Sequence, residues 1–217
     1  MSIATVTPAR TRAYHHGDLR EALIGRGVES VEANGFEHLS LRAIAQSIGV
    51  SPSAAYHHFA DKDALLREIG LYAIAELDAA VIDAAEAIPG SDVEAALARS
   101  AAAGQAYVTY AIEHPNLFRV AFSGLCGAPT DHEAPGYQYL VGLLDDLVDT
   151  GALNRDARDG AENVMWATVH GLAVLIIEGH LDRSDIATYL GTMQRMMQAG
   201  SVTESESRNH LEHAQRR

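Results

Sequence analysis

Residues 49–65 read GVSPSAAYHHFADKDAL and carry a cluster of side chains that can donate hydrogen bonds to an anion. Tyr56, His57 and His58 are consecutive in this stretch, and Lys62 follows them. A phenol, two imidazoles and an ammonium group together suit the phosphate oxygens of a nucleic acid. The alternative is that the cluster only decorates a solvated surface, so its meaning depends on the elements that present it.

The residues around this cluster predict two short helices joined by a tight turn. Ser40 is a good N-cap for a helix whose apolar residues recur at the spacing of one helical face, namely Leu41, Ile44, Ala45 and Ile48. Gly49 ends that helix, Ser51 caps the next one, and Pro52 occupies its first position, where a missing N–H is harmless. This is the spacing of a helix-turn-helix.

On the second helix, burial of Ala55 and Phe59 leaves the other side chains for the outer face. Short side chains at the helix start suit contacts with base edges, and the larger polar ones suit phosphates. Arg42, in the first turn of the supporting helix, points to the same side. The predicted nucleic-acid contacts are Arg42, Ser51, Ser53, Ala54, Tyr56, His57, His58 and Lys62.

The stretch LSLRAIAQSIGVSPSAAYHHFADKDALL, residues 39–66, resembles the DNA-binding head of TetR-family transcriptional regulators. With the helix before it, the resemblance runs from residue 18 to about residue 66. It departs from the family pattern at Ala54 and Ala55, where many members carry Gly or Thr followed by Leu, and this makes base readout less predictable.

A second, weaker resemblance lies in the body, where Trp166, His170 and Gly171 match the Trp-x-x-x-His-Gly pattern of one C-terminal domain class in that family. The family resemblance implies an all-helical homodimer whose C-terminal domains bind a small molecule and release DNA.

Composition and charge limit the classes of protein to which this chain can belong. The chain has 217 residues and a formal net charge of -13, yet residues 1–62 are neutral, with six Lys/Arg against six Asp/Glu. An acidic remainder is compatible with nucleic-acid binding, because physiological salt screens exposed charges beyond about 8 Å. No apolar run has the length of a signal peptide or a membrane span. We therefore expect a cytoplasmic protein without a membrane segment.

Cys126 is the only cysteine, so no internal disulfide can form. Its thiol could sense redox state or electrophiles, or it could be inert.

The rest of the chain also reads as helical, so the predicted fold is all-α, with a three-helix helix-turn-helix head on a larger helical body. Body helices are predicted at 62–87, 93–113, 115–124, 137–150, 157–179 and 186–197. The predicted domains are a flexible arm at 1–16, the DNA-binding head at 17–62, a ligand-binding and dimerisation body at 63–199, and a disordered tail at 200–217.

Aromatic and aliphatic side chains from four predicted body helices could line a pocket for a small, largely apolar effector. These are Tyr107, Tyr110, Phe118, Phe122, Tyr137, Leu144, Trp166, His170 and Val174. Each of them could instead be plain core. A cationic effector would require carboxylates, for which Glu113 and Glu162 are the candidates.

Eleven histidines raise the alternative of a metal-responsive regulator or, further from the pattern, a histidine-rich metal enzyme. His57 and His58 point apart on a helix, and the pair His210 and His213 falls in the predicted tail. A third group, around His180, has no second cluster at ligand spacing. No His-Glu-x-x-His motif, nucleophile elbow or phosphate-binding glycine loop occurs. We therefore expect no enzyme activity, no cofactor and no metal site.

The predicted mechanism is a ligand-switched repressor. A homodimer formed through residues 157–179 and 184–198 would present two recognition helices to a palindromic operator. Ligand in the body would favour a head spacing that no longer fits successive major grooves, and repression is favoured over activation.

Overall fold

The computed structural model describes residues 16–126 and 134–198. Within those ranges the chain forms nine α-helices and no β-strand, so the all-α prediction is confirmed. The helices are α1 (His16–Asn34), α2 (Leu41–Ser47), α3 (Pro52–His58), α4 (Lys62–Glu86), α5 (Val93–Glu113), α6 (Pro115–Ala121), α7 (Pro135–Asp149), α8 (Ala161–Ile177) and α9 (186–198). Apart from residue 16, the predicted arm lies outside the described residues, as does the predicted tail with its two histidines.

The chain divides into two compact units, Met1–Leu65 and Leu66–Arg217. The first, called the head, contains α1 to α3 and the first residues of α4. The second, called the body, contains the remainder of α4 and all later helices. The division falls after Leu65, compared with residue 62 in the prediction from sequence.

Local capping explains where the helices of the head begin and end. The Ser40 hydroxyl accepts a hydrogen bond from the Ala43 N–H at 3.4 Å at the start of α2. Gly49 adopts φ 78°, a left-handed conformation that glycine enters without steric cost, and this turns the chain between α2 and α3. The N–H of Val50 then donates to the carbonyl of Ala45 at 3.0 Å, which closes the turn.

The core of the head comes from the apolar face of each helix. Its most buried members are Leu23 and Val31 of α1, Ala45 of α2, Ala55 of α3, and Leu65 of α4. Small side chains at 45 and 55 allow α2 and α3 to pack closely. Val50, in the turn between α2 and α3, is half-buried.

The body is built around α5, which packs against α6, α7 and α8. Asp92 caps the N-terminus of this helix, and its carboxylate accepts from the Ala95 N–H at 2.9 Å. Its central residue Val108 is fully buried, as is Ala173 of α8, and Leu190 of α9 belongs to the same apolar cluster.

The predicted bounds of α8 were wrong at the N-terminal end. We expected a helix from 157, but residues Arg155–Ala157 form a short 3-10 turn and α8 begins at Ala161. Gly160 adopts φ 73°, so it breaks the helical path immediately before α8. Arg158 stabilises this junction through ion pairs to Asp145 at 2.7 Å and Glu162 at 2.8 Å.

Candidate nucleic-acid interface and body cavity

The exposed face of α3 carries the side chains that the sequence assigned to nucleic acid. Tyr56 is 52% exposed, and Ser53 and His57 are exposed as well. Ala54 and His58 are half-buried, while Ala55 between them is completely buried against the other helices of the head. The helix therefore presents its hydroxyl, phenol and imidazole groups outward and uses its methyl group for packing.

The start of α3 is ordered by its own cap. The Ser51 hydroxyl accepts a hydrogen bond from the Ala54 N–H at 3.2 Å, and Pro52 occupies the first helical position. Such a cap contributes about 1 kcal/mol to helix stability. Since a serine hydroxyl both accepts and donates, the cap leaves the Ser51 O–H able to donate to another acceptor.

The two candidate cations of the head differ in their surroundings. Lys62 begins α4, and its ammonium donates to the carbonyl oxygen of Glu37 at 2.8 Å. An ammonium has three N–H donors, so two remain for another acceptor. Arg42 in the first turn of α2 is exposed and makes no hydrogen bond or ion pair to any residue that the structure describes. Lys62 is thus held in place before any ligand arrives, whereas Arg42 is not.

The body contains a cavity of about 740 Å³ lined by α4, α5, α7, α8 and the residues that follow α6. This volume suits a drug-sized molecule. Of the nine predicted ligand residues, the lining includes Tyr107, Phe122, Tyr137 and Trp166. The sequence interpretation missed the contribution of α4, which supplies one helical face: Leu71, Ile74, Leu77, Asp78, Val81 and Ile82.

Five predicted ligand residues do not line this cavity. Phe118 and Leu144 are 2% and 1% exposed and belong to the solid core. Tyr110 is also buried, and its hydroxyl donates to the carbonyl of Ala73 at 3.1 Å. Val174 packs against the same core cluster as Phe118. Periodicity identified these residues as inward-facing, but inward on these helices means toward neighbouring helices rather than toward the cavity.

The fifth residue, His170, does not line the cavity. It belongs to a chain of hydrogen bonds with two residues that do. Trp166 donates its indole N–H to the Tyr107 hydroxyl at 3.2 Å, and that hydroxyl lies 2.9 Å from Nδ1 of His170. Burial lowers the pKa of His170, which favours the neutral ring, and Nδ1 can then accept the phenol proton. Burial also raises the pKa of Tyr107, which keeps it protonated. The indole N–H and the phenol are thereby satisfied within the protein.

Asp78 is the one acidic residue among the described residues that line the cavity. Its Oδ2 accepts a hydrogen bond from the Gly136 N–H at 3.0 Å. Burial raises the pKa of Asp78, and the Gly136 N–H lowers it by less. The sequence interpretation had considered Glu113 and Glu162 for this role. Neither lines the cavity: Glu113 is exposed, and the carboxylate of Glu162 pairs with an arginine.

Cys126 lies at the edge of the same cavity and packs against α4. Its sulfur lies 3.6 Å from the carbonyl oxygen of Arg67, over a stretch of α4 where Gly70 leaves room for it. Burial raises the pKa of the Cys126 thiol more than the Arg67 charge lowers it. Because the thiolate is the reactive form, this environment disfavours redox sensing.

The metal alternative finds no support in the part of the chain that the structure describes. No three His, Cys, Asp or Glu side chains come together there as a metal site. The group around His180 comes nearest to a metal site, since His180 Nε2 lies 3.9 Å from the carboxylate of Glu178. The carboxylate of Asp182, however, accepts a hydrogen bond from the Ser184 N–H. No helix within residues 16–126 and 134–198 is long and apolar enough to cross a membrane.

Two family models match the chain. Residues 23–69 match the model of bacterial regulatory proteins of the tetR family, and residues 100–199 match the tetracyclin repressor-like C-terminal domain. The second match spans Trp166, His170 and Gly171, but it does not test that pattern. Among curated proteins, the uncharacterized HTH-type transcriptional regulator YobS of Bacillus subtilis is 22% identical over 78% of this chain and 84% of its own length.

Solved structures show the same fold. A protein of unknown function from Rhodococcus sp. RHA1 superposes with a TM-score of 0.72 at 29% identity, covering 88% of this chain and 98% of that one. The TetR-family transcriptional regulator PfmR of Thermus thermophilus superposes with a TM-score of 0.59 at 20% identity, covering 80% and 97%. The helix-turn-helix architecture predicted from residues 39–66 is confirmed.

Proposed function

Because this chain belongs to the TetR family of DNA-binding transcriptional regulators, we propose that it is a homodimeric repressor that a small molecule releases from a palindromic operator. The observation that carries the proposal is the outward face of α3, where Ser53, Tyr56 and His57 are exposed on a helix whose opposite side is buried. YobS and PfmR, which it resembles, are both described as transcriptional regulators. Its place of action is the cytoplasm, where operator DNA lies.

In this proposal α3 enters the major groove with its N-terminal end foremost. Ser53 and Ala54 lie at that end and approach the base edges, since their side chains are short enough to leave the helix close to the groove floor. The groups proposed to hold the phosphates on either side are Arg42, Ser51, Tyr56, His57, His58 and Lys62. The capped start of α3 and the tethered ammonium of Lys62 support this assignment, because both are in position without DNA.

A symmetric operator requires two heads, and α8 and α9 offer the surface that would join two copies. Val164 and Leu175 on α8 are 67% and 42% exposed, and Met196 on α9 is 72% exposed. Large apolar side chains with this exposure on two neighbouring elements are typical of an association surface. A pair of copies related by a two-fold axis would bury both faces against each other.

The cavity of the body supports the proposal of a small-molecule effector. Its lining is mainly aliphatic and aromatic, which rewards burial of an apolar ligand by about 25 cal/mol per Å². The effector can lower operator affinity only by as much free energy as it gains by binding the state with weaker DNA affinity rather than the other state. This difference in binding free energy is typically about 1–3 kcal/mol.

The test begins with selection of bound duplexes from random DNA. We expect an inverted repeat whose half-sites lie about one helical turn apart or a multiple of it. The second step uses the fact that Lys62 is the only lysine in the sequence. An amine-directed acylating reagent, read out by mass spectrometry, should modify Lys62 in the free protein and much less in the complex.

The control is a duplex of equal length with the half-sites scrambled, at a salt concentration where non-specific binding is negligible. Selection of a motif without two-fold symmetry would contradict the dimeric operator. Equal acylation of Lys62 with and without the selected duplex would contradict the assignment of this residue to the phosphate backbone.

A further inference from the structure

The cavity of the body contains an electrostatic imbalance. Asp78 contributes a carboxylate, while no lysine, arginine or histidine occurs among the described residues of the lining. The carboxylate receives a single hydrogen bond, from the Gly136 N–H to Oδ2, and Oδ1 accepts none from the described residues. An ionised carboxylate can accept about four hydrogen bonds, so most of its capacity is unused.

The position of Asp78 is fixed by close packing against α7. Gly136 lies in the first turn of that helix, and a β-carbon added there would collide with the carboxylate of Asp78. The Gly136 N–H and the start of α7 favour the ionised form. Burial nevertheless outweighs them, because the pKa of Asp78 remains raised. The local structure therefore holds the carboxylate in the cavity without fully compensating its loss of solvent.

The hydroxyl of Ser100 adds a second polar group with unused hydrogen-bonding capacity to the same cavity. Ser100 of α5 is only 9% exposed, and its hydroxyl makes no hydrogen bond to any described residue. By contrast, the indole of Trp166 and the phenol of Tyr107 already bond to each other and to His170. The polar capacity left for a ligand thus includes the Asp78 carboxylate and the Ser100 hydroxyl, both of which can accept from a donor group.

We infer that the effector of this protein is an apolar molecule bearing a protonated amine, which pairs with Asp78 while its apolar body occupies the rest of the cavity. A neutral apolar ligand would leave Asp78 desolvated and unpaired, and an anionic ligand would place like charges together in a site of low dielectric. The overall charge of -13 also attracts cations at long range. This inference rests on the proposed function, since it specifies the ligand of the proposed effector site.

The experiment compares three probes that share one skeleton: biphenyl-4-ylethylamine, biphenyl-4-ylethanol and biphenyl-4-ylacetate. Binding is followed at pH 7.5 through the emission of Trp166, which is the only tryptophan and lines the cavity. The amine should bind about tenfold or more tightly than the alcohol, and the acetate should bind most weakly. In Asp78→Asn, which keeps an oxygen for the Gly136 N–H, the amine should fall to the affinity of the alcohol.

Glu113→Gln is the matched control, because it removes the same charge at an exposed position outside the cavity. It should keep the preference for the amine. Equal binding of amine and alcohol by the wild type, an unchanged preference in Asp78→Asn, or no binding of any probe up to its solubility limit would each overturn the inference.

Operator binding is measured separately by fluorescence anisotropy of a labelled duplex. If the amine binds through Asp78 but does not release the duplex, the cavity assignment stands and the proposed ligand switch fails. If the protein binds no operator at all, the proposed regulatory function fails, and the probe affinities still decide the role of Asp78.

Discussion

The ammonium of Lys62 offers a quantitative test of how the head meets DNA. Each phosphate contact made by a cation contributes about 0.9 to the slope of log affinity against log salt. A dimer on a symmetric operator has two copies of Lys62, so Lys62→Gln should reduce the slope by about 1.8. Between 50 and 200 mM salt, a fourfold change, the wild type should therefore lose about 12-fold more affinity than the variant.

The assay is fluorescence anisotropy of the selected duplex across that salt range, with helical content checked by circular dichroism. Lys62→Gln also removes the bond to the Glu37 carbonyl, but this contact is exposed, so its loss should cost stability little. Lys62→Arg is the control, because it keeps the charge and should keep the slope. A wild-type slope in Lys62→Gln would refute the reasoning, since the ammonium would then serve only the Glu37 carbonyl.

Three further outcomes follow from the body. Phe118→Ala should lower the free energy of unfolding in urea by about 3–5 kcal/mol, because the ring is 2% exposed and packs on Tyr107 at 5.9 Å between ring centroids. Leu175→Arg should give monomers in sedimentation with unchanged helical content, since it places a charge on the proposed dimer face. For His170, burial lowers the pKa, so the unfolded chain binds more protons and stability should fall as the pH drops below about 6.5.

Each of these outcomes has a matched control. Phe122→Ala, at a half-buried position on the cavity, should cost less than Phe118→Ala, and a loss below about 1 kcal/mol for Phe118 would mean that its site collapses freely. Val93→Arg, at a site 44% exposed on α5, should remain dimeric, and intact dimers in Leu175→Arg would move the interface elsewhere. His170→Asn keeps an acceptor for Tyr107 without titrating, so an equal pH dependence of stability in both proteins would exclude His170 as its source.

The head could be predicted closely from the sequence because its determinants are local. Ser40 and Ser51 cap the helices that begin after them, and Gly49 adopts the left-handed conformation that its place between two helices required. These interactions span a few residues, so the chain alone specifies them.

The cavity was harder to predict because its walls depend on which helices become neighbours. Phe118 follows the same helical spacing as a ligand residue would, yet its ring is enclosed by Tyr107, Phe122 and His170. Asp78 resembled a solvated position on a long helix. The turn of α7 that contacts it is 58 residues away in sequence, and no local pattern predicts that approach. The one available signal was its setting among Ile74, Leu77, Val81 and Ile82.

The contact between Asp78 and Gly136 also limits which amino-acid substitutions these two positions can accept during evolution. A β-carbon at 136 would collide with the present position of the Asp78 carboxylate, so replacement of the glycine requires the Asp78 side chain to move away from α7. Loss of the carboxylate, in turn, removes the steric barrier at 136. Substitutions at these two positions should therefore be coupled, and a β-carbon at 136 should occur mainly in sequences whose residue 78 is no longer acidic.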